Sequence, residues 1–302
     1  MASNSSNSSA APKPLPAHWN LFAGAIAGVS EILAMYPLDV VKTRFQLQVG
    51  KSSADSYTSI VDCFQKIIKK EGPGVLYRGI AAPIMVEAPK RAIKFSANEQ
   101  YRTLFKSWGL PESRLTSVLT GVSAGITEAF VVVSFDLVKI RLQDKANAGK
   151  YKNTSDAFAK IFQQEGFIGF FRGLEATIWR HGVWNGGYFG CISTIRQLLP
   201  KAETKQGTLA NNFIAGTIGG TIGTILNTPF DVAKTRIQNQ TLPFSSCKYN
   251  WTLPAVATIA KEEGFGALYK GFVPKVLRLG PGGGILLVVF EALSGYIRKN
   301  IL

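Results

Sequence analysis

Pro37-Leu38-Asp39-Val40-Val41-Lys42-Thr43-Arg44 returns as Ser134-Phe135-Asp136-Leu137-Val138-Lys139-Ile140-Arg141, and again as Pro229-Phe230-Asp231-Val232-Ala233-Lys234-Thr235-Arg236. The aspartates Asp39, Asp136 and Asp231 stand 97 and 95 residues apart. A period that regular over nearly the whole chain means three copies of one structural unit. Each copy carries a second phrase downstream: Glu71-Gly72 to Tyr77-Arg78-Gly79, Glu165-Gly166 to Phe171-Arg172-Gly173, and Glu263-Gly264 to Tyr269-Lys270-Gly271. A Gly-x-x-x-Gly pair precedes each aspartate by 15 residues, at Gly24/Gly28, Gly121/Gly125 and Gly216/Gly220. A glutamine follows each by seven, at Gln46, Gln143 and Gln238.

The repeat divides the chain into units of 16–108, 109–203 and 204–302 that together form one integrated domain. Residues 1–15, rich in Ser, Asn, Ala and Pro, read as a disordered tail with one lysine and no arginine, unlike an Arg-rich transit peptide or a secretory signal. Net charge is +15. Such a chain could face nucleic acid, anionic lipid or anionic solutes. The bases lie inside apolar helical stretches rather than on a separate polar face, which excludes a nucleic-acid-tracking surface. Cys63, Cys191 and Cys247 occupy unrelated repeat positions, so neither a disulfide framework nor a metal site is expected. No nucleophile–base motif, paired catalytic carboxylates or cofactor motif points to an enzyme.

Leu21 to Leu38, Leu115 to Val138 and Phe213 to Phe230 read as apolar helices whose small-x-x-x-small pairs let backbones approach closely in lipid. The second helix of each unit is less plain. Ile80 to Tyr101 holds Pro83, Glu87, Pro89, Lys90, Arg91 and Lys94, and hydropathy alone rejects it. Symmetry with Leu174 to Leu199 and Phe272 to Ile297 restores it. A spanning helix with charges turns them to a water-filled cavity or a partner. The expected fold is therefore an all-α membrane protein with six transmembrane helices around a polar interior. Amphipathic runs such as Ile60 to Ile68 supply short surface helices between them. Pro37 and Pro229 remove a backbone donor and bend their helices; Ser134 supplies no such reason in the second repeat.

The phrases together resemble the signature of the mitochondrial carrier family over residues 17 to 299. The resemblance implies three pseudo-threefold repeats, short matrix-side helices, both termini toward the intermembrane space, and solute exchange across the inner membrane by alternating access. By spacing alone, Asp39/Lys42, Asp136/Lys139 and Asp231/Lys234 would be i,i+3 pairs on one helix, worth about 0.2–0.5 kcal/mol each. The resemblance implies instead a matrix gate that links Asp39 to Lys139, Asp136 to Lys234 and Asp231 to Lys42, braced by Gln46, Gln143 and Gln238. It also implies a cytoplasmic gate that pairs Glu99 with Arg196 and Glu291 with Arg102, the third link being Ser193 with Ser294. Solvated helix-end charges worth little are the plain alternative.

Seven residues beyond Gly79, Gly173 and Gly271 stand Val86, Arg180 and Arg278. This is the level at which family members contact substrate. In the first repeat the positive charge sits further along, at Lys90, Arg91 and Lys94, with Arg91 about 100° round the helix from Lys90. Two arginines and a lysine wall suit a dianion with a carboxylate at each end. These cations could equally pair with Glu31, Glu87 or Glu128. His181 beside Arg180 resembles the keto-acid carriers, and Glu87 to Phe95 with Ala176 to His181 resemble the 2-oxodicarboxylate branch. That resemblance implies antiport of 2-oxoadipate, 2-oxoglutarate and related dicarboxylates without a cofactor. A citrate-like or malate carrier, or a uniport or proton-leak carrier, is the alternative. Arg78-Gly79, Arg172-Gly173 and Lys270-Gly271 begin helices, whose N-termini favour phosphate; the family holds cardiolipin there. A complete threefold unit in one chain implies a functional monomer among inner-membrane lipids.

Overall fold

A computed structural model describes residues 15–50, 56–111, 113–200, 204–241 and 243–301. The expected tail, 1–14, lies outside the described residues. Leu15, read with that tail, is buried with Ala23 and Ile297. Among the described residues the chain forms nine α-helices: α1 (Ala17–Leu47), α2 (Ile60–Glu71), α3 (Ala81–Ser107), α4 (Arg114–Gln143), α5 (Thr154–Gly169), α6 (Leu174–Leu198), α7 (Lys205–Asn239), α8 (Thr252–Glu263) and α9 (Phe272–Asn300).

The six long helices close a ring. α1 packs chiefly on α9, α3 on α4, and α6 on α7. The helices α1, α4 and α7 also touch one another, whereas α3, α6 and α9 pack on them and not substantially on each other. The bundle is therefore narrow at the end bearing the three aspartates and wide at the other. Among the described residues, α1, α4 and α9 are the helices that contain an apolar window of mean hydropathy 1.6 fit to cross a membrane unaided. The expectation that Phe213 to Phe230 matches them is not met: α7 carries more polar groups, and it buries Thr224, Asn227 and Thr228. Each long helix nevertheless exceeds the roughly 20 residues a bilayer requires.

Three apolar clusters, one per repeat, seat the short helices against the narrow end. Cys63 and Ile67 of α2 meet Tyr36, Val40 and Val41. Ala157 and Ile161 of α5 meet Leu137 and Leu142. Ala255 and Ile259 of α8 meet Val232 and Ile237. Ser59 and Asn153 cap α2 and α5 by accepting from the amides of Asp62 and Asp156 at 3.1 and 2.8 Å. At α8, where Trp251 offers no such oxygen, the Glu175 carboxylate of α6 takes the Thr252 amide at 3.1 Å.

The two sequence phrases of each repeat are joined by an ion pair. Arg44 meets Glu71 at 2.7 Å, Arg141 meets Glu165, and Arg236 meets Glu263. The two phrases supply both residue sets, but not their contact; the recurrence of one arginine and one glutamate in the same order in every repeat was the available signal. The guanidiniums continue into the next repeat, Arg141 donating to Gln238 O at 3.1 Å and Arg236 to Gln46 O at 3.0 Å. The first repeat breaks this pattern: Nε and Nη1 of Arg44 and both amide atoms of Gln143 are buried without a hydrogen-bond partner.

Burial alone would raise the Glu263 carboxyl, but hydrogen bonds from Arg236 and Lys270 outweigh it and pull the group down to about 2. A depressed carboxyl adds stability that is complete above its unfolded value, about 4.5, and disappears as pH falls through 2. Thermal unfolding in detergent should lose about 2 kcal/mol from this pair over that window, after allowance for solvent screening. Glu263→Gln should be less stable at neutral pH and show a correspondingly smaller acid-dependent loss.

The Gly-x-x-x-Gly expectation requires correction. A side chain at Gly121, Gly125 or Gly220 would meet nothing within 4 Å. The close backbone approach lies elsewhere, at Gly187 of α6, where an added Cβ would come within 3.0 Å of Gly223 Cα on α7. Gly24 and Gly28 form a notch for side chains, not for a helix. A Cβ on Gly28 would stand 2.2 Å from the Glu87 carboxylate and 2.9 Å from Arg91 Nη2. Gly28→Ala should therefore push Glu87 and Arg91 off α1 and weaken substrate exchange about tenfold, read as a rise in KM.

Candidate substrate cavity and gates

A cavity of about 370 Å³ runs down the axis of the bundle and ends at the ring of aspartates. Every predicted inter-helix pair of that ring is formed. Lys139 meets Asp39 at 2.8 Å, Lys42 meets Asp231 at 2.6 Å, and Lys234 meets Asp136. Each lysine thus pairs with the aspartate of another helix and not with the aspartate three residues before it.

The glutamines do not act alike. Gln46 donates to Asp231 Oδ2 at 3.2 Å and accepts from Thr235 at 2.7 Å, so it braces the Lys42–Asp231 pair. Gln238 instead donates to Arg172 O at 3.4 Å. The Gln143 amide makes no hydrogen bond among the described residues and braces no pair of the ring in this conformation.

At the wide end no ion pair joins Glu99 to Arg196 or Glu291 to Arg102 among the described residues, and all four are exposed. Ser294 is buried with its hydroxyl unpartnered, and the side chain of Ser193 lies outside the described residues. The physical reason is the funnel: with the narrow end tied, the far ends of α3, α6 and α9 stand apart.

The six expected binding residues divide into four groups. Lys90 and Arg91 line the cavity and share one carboxylate, Glu87, at 2.5 and 2.8 Å. Lys94 lies above the cavity, its side chain 66% exposed, 4.0 Å from Glu128. Arg278 crosses to α1, donating to Asp39 at 2.7 Å and Glu31 at 3.1 Å. Of the five lysines and arginines among them, Arg180 alone meets no carboxylate among the described residues. Among the described residues its guanidinium donates only to its neighbour, Nη2 lying 3.0 Å from His181 Nε2, while its Nε is buried without a partner. Arg180 and His181 both line the cavity.

One functional cation and one polar node escaped the sequence reading. Lys275 of α9 lies 3.2 Å from Asp231, so that aspartate carries two lysines. Asn227 of α7, oriented to satisfy both neighbours, donates to the Arg180 carbonyl and accepts from Lys275, each at 3.1 Å. The signal for Lys275 was the register four residues after the phrase glycines, where Pro83, Thr177 and Lys275 differ.

The helix-start phrases lie at the narrow end. Gly79, Gly173 and Gly271 have φ of +82°, +78° and +81°, a region that disfavours side chains. A Cβ on Gly173 would also stand 2.7 Å from Gln238. The bases beside them are engaged by protein: Arg78 with Tyr151 O at 2.8 Å, Arg172 with Gln240 O at 3.0 Å, and Lys270 with Gln48 O at 2.6 Å. Each contact reaches the next repeat, so the three bases tie the units in a cycle. Phosphate at these sites would be met chiefly by the helix N-termini.

Three consecutive segments, 13–108, 111–203 and 205–300, each match the family model "Mitochondrial carrier protein". The chain belongs to the mitochondrial carrier family. It is a multi-pass carrier of the mitochondrial inner membrane and not an enzyme. The carrier is 58% identical over 294 residues to the mitochondrial citrate transporter D of Aspergillus niger, covering 95% of this chain and 96% of that protein. It is 59% identical to the probable mitochondrial 2-oxodicarboxylate carrier of Dictyostelium discoideum, over 92% of this chain and 91% of the relative. It is 41% identical to the human mitochondrial 2-oxodicarboxylate carrier, over 93% of this chain and 94% of the relative.

Proposed function

We propose that this carrier exchanges 2-oxodicarboxylates, 2-oxoadipate and 2-oxoglutarate foremost, with related dicarboxylates by alternating access. The ring of Asp39, Asp136 and Asp231 is then the matrix gate, closed in this conformation. Glu99, Arg196, Glu291 and Arg102 form the cytoplasmic gate, open here, and both termini face the intermembrane space. The observation that carries the substrate reading is the distribution of uncompensated charge. The cavity lining holds seven bases against six acids. The positive surplus sits in two places on opposite walls: Arg180 on α6, and Lys90 with Arg91 sharing Glu87 on α3. A carboxylate at each end of a short chain suits that pair of poles. His181 extends a ring nitrogen beside Arg180, where a 2-oxo group adjoining the first carboxylate would lie.

Citrate is the second reading, favoured by the Aspergillus relative's name. A third carboxylate would need another surplus base. Arg278 is already engaged by Asp39 and Glu31, and Lys94 stands outside the lining, so the dianion fits better. Cardiolipin phosphates at the N-termini of α3, α6 and α9 and a monomeric transport unit complete the reading.

The test is uptake of labelled 2-oxoglutarate by proteoliposomes loaded with single anions. Stimulation by internal 2-oxoadipate, 2-oxoglutarate or malate is expected, with little uptake into empty vesicles. Equal uptake without internal anion would establish uniport, and stimulation by citrate alone would replace the dicarboxylate reading.

A further inference from the structure

Lys275 sits where none of the threefold features places a base. It comes from α9, is mostly buried, does not line the cavity itself, and reaches Asp231 and Asn227 of α7. Asp231 Oδ2 receives Lys275 at 3.2 Å, Lys42 at 2.6 Å and Gln46 at 3.2 Å. The same helix sends Arg278 to Asp39, which already holds Lys139. Two of the three ring aspartates thus carry a second cation, and both second cations come from α9. Among the described residues Asp136 pairs with Lys234 alone, and it is the most exposed of the three, its side chain at 26% against 5% and 9%.

We propose that Lys275 is a positioning residue that latches α9 to the matrix gate, holding Asp231 closed while the cavity is empty of substrate. Lys275 and Arg278 lie three residues apart on one face of α9. A dicarboxylate seated at Arg180 shifts the α6 backbone beside it. Asn227, which donates to the Arg180 carbonyl and accepts from Lys275, carries that shift to Lys275 and draws this face of α9 away from the gate aspartates. Substrate binding thereby weakens the two doubly held links, and the carrier opens toward the matrix only when loaded. This rests on the gate assignment made above.

The test is efflux of labelled 2-oxoglutarate from loaded proteoliposomes into anion-free medium, together with the KM of exchange. Lys275→Met should raise uncoupled efflux about fivefold, the effect of roughly 1 kcal/mol on the gate, and leave KM within about twofold. Lys275→Arg should restore tight coupling. A KM raised tenfold with efflux unchanged would make Lys275 a substrate ligand and overturn the inference, as would efflux equal to wild type. If the wild-type protein exchanges no 2-oxoglutarate, the substrate reading fails, and thermal unfolding in detergent then judges the latch by itself. Lys275→Met and Asp231→Asn should be strongly non-additive as a latched pair; additive losses would overturn it.

Discussion

Arg180→Gln should reduce the catalytic efficiency of exchange at least about 100-fold while the unfolding temperature in detergent stays within a few degrees of wild type. A loss of that size equals about 2.7 kcal/mol, within the range for removing one side of a desolvated charge pair. Stability is spared because Arg180 has no carboxylate partner to leave orphaned among the described residues. Most of the loss should appear at low substrate concentration, since the guanidinium meets the anion in the ground state as well as during translocation. Arg278→Gln gives the informative contrast. It strips Asp39 and Glu31 of their shared base, so it should lower the unfolding temperature as well as transport. Exchange by Arg180→Gln within threefold of wild type would remove Arg180 from the substrate site.

Charge reversal at the ring should succeed at one link and fail at two. Each single reversal, such as Lys234→Asp, leaves two like charges in a buried site and should abolish exchange, the cost of breaking a buried pair being about 3–5 kcal/mol. Combining Asp136→Lys with Lys234→Asp should recover a measurable fraction of transport, because among the described residues Lys234 is the one base that pairs with Asp136. Asp39→Lys with Lys139→Asp should stay inactive, because the new lysine would face Arg278. Asp231→Lys with Lys42→Asp should stay inactive beside Lys275. Equal rescue at all three links, measured as exchange in proteoliposomes, would mean that the ring acts without the α9 cations.

These two experiments separate what is symmetric in the carrier from what is not. The triple phrase is symmetric, and its chemistry could be read directly. An aspartate and a lysine at one register in three units can satisfy one another around an axis, and the structure joins them in that order. The short helices were legible for a similar reason, since α2 alternates Ile60, Cys63, Phe64, Ile67 and Ile68 at helical spacing and must cover one apolar face.

The glycine pairs were misleading because small size permits two outcomes. A glycine can admit a neighbouring backbone or a neighbouring side chain. Gly28 admits the Glu87–Arg91 pair. Whether an arginine reaches it depends on the position of α3, which no local pattern encodes. The binding cations show the same limit. Lys94 and Lys90 share a helix face, yet one line of depth separates a base inside the cavity from one above it.

What the chain order determined by itself is the threefold architecture, the ring and the pair of phrases that build each unit, because a repeated pattern carries its own geometry: equal units with unsatisfied apolar faces must close on one another. What the tertiary structure alone decided is how the charges are spent. Arg278 and Arg180 occupy the same register in their repeats, yet the first is consumed by Asp39 and Glu31 and the second is left for a ligand. Coulomb attraction falls steeply with distance and depends on how far each side chain is removed from water, and both quantities are fixed only when the six helices stand in place.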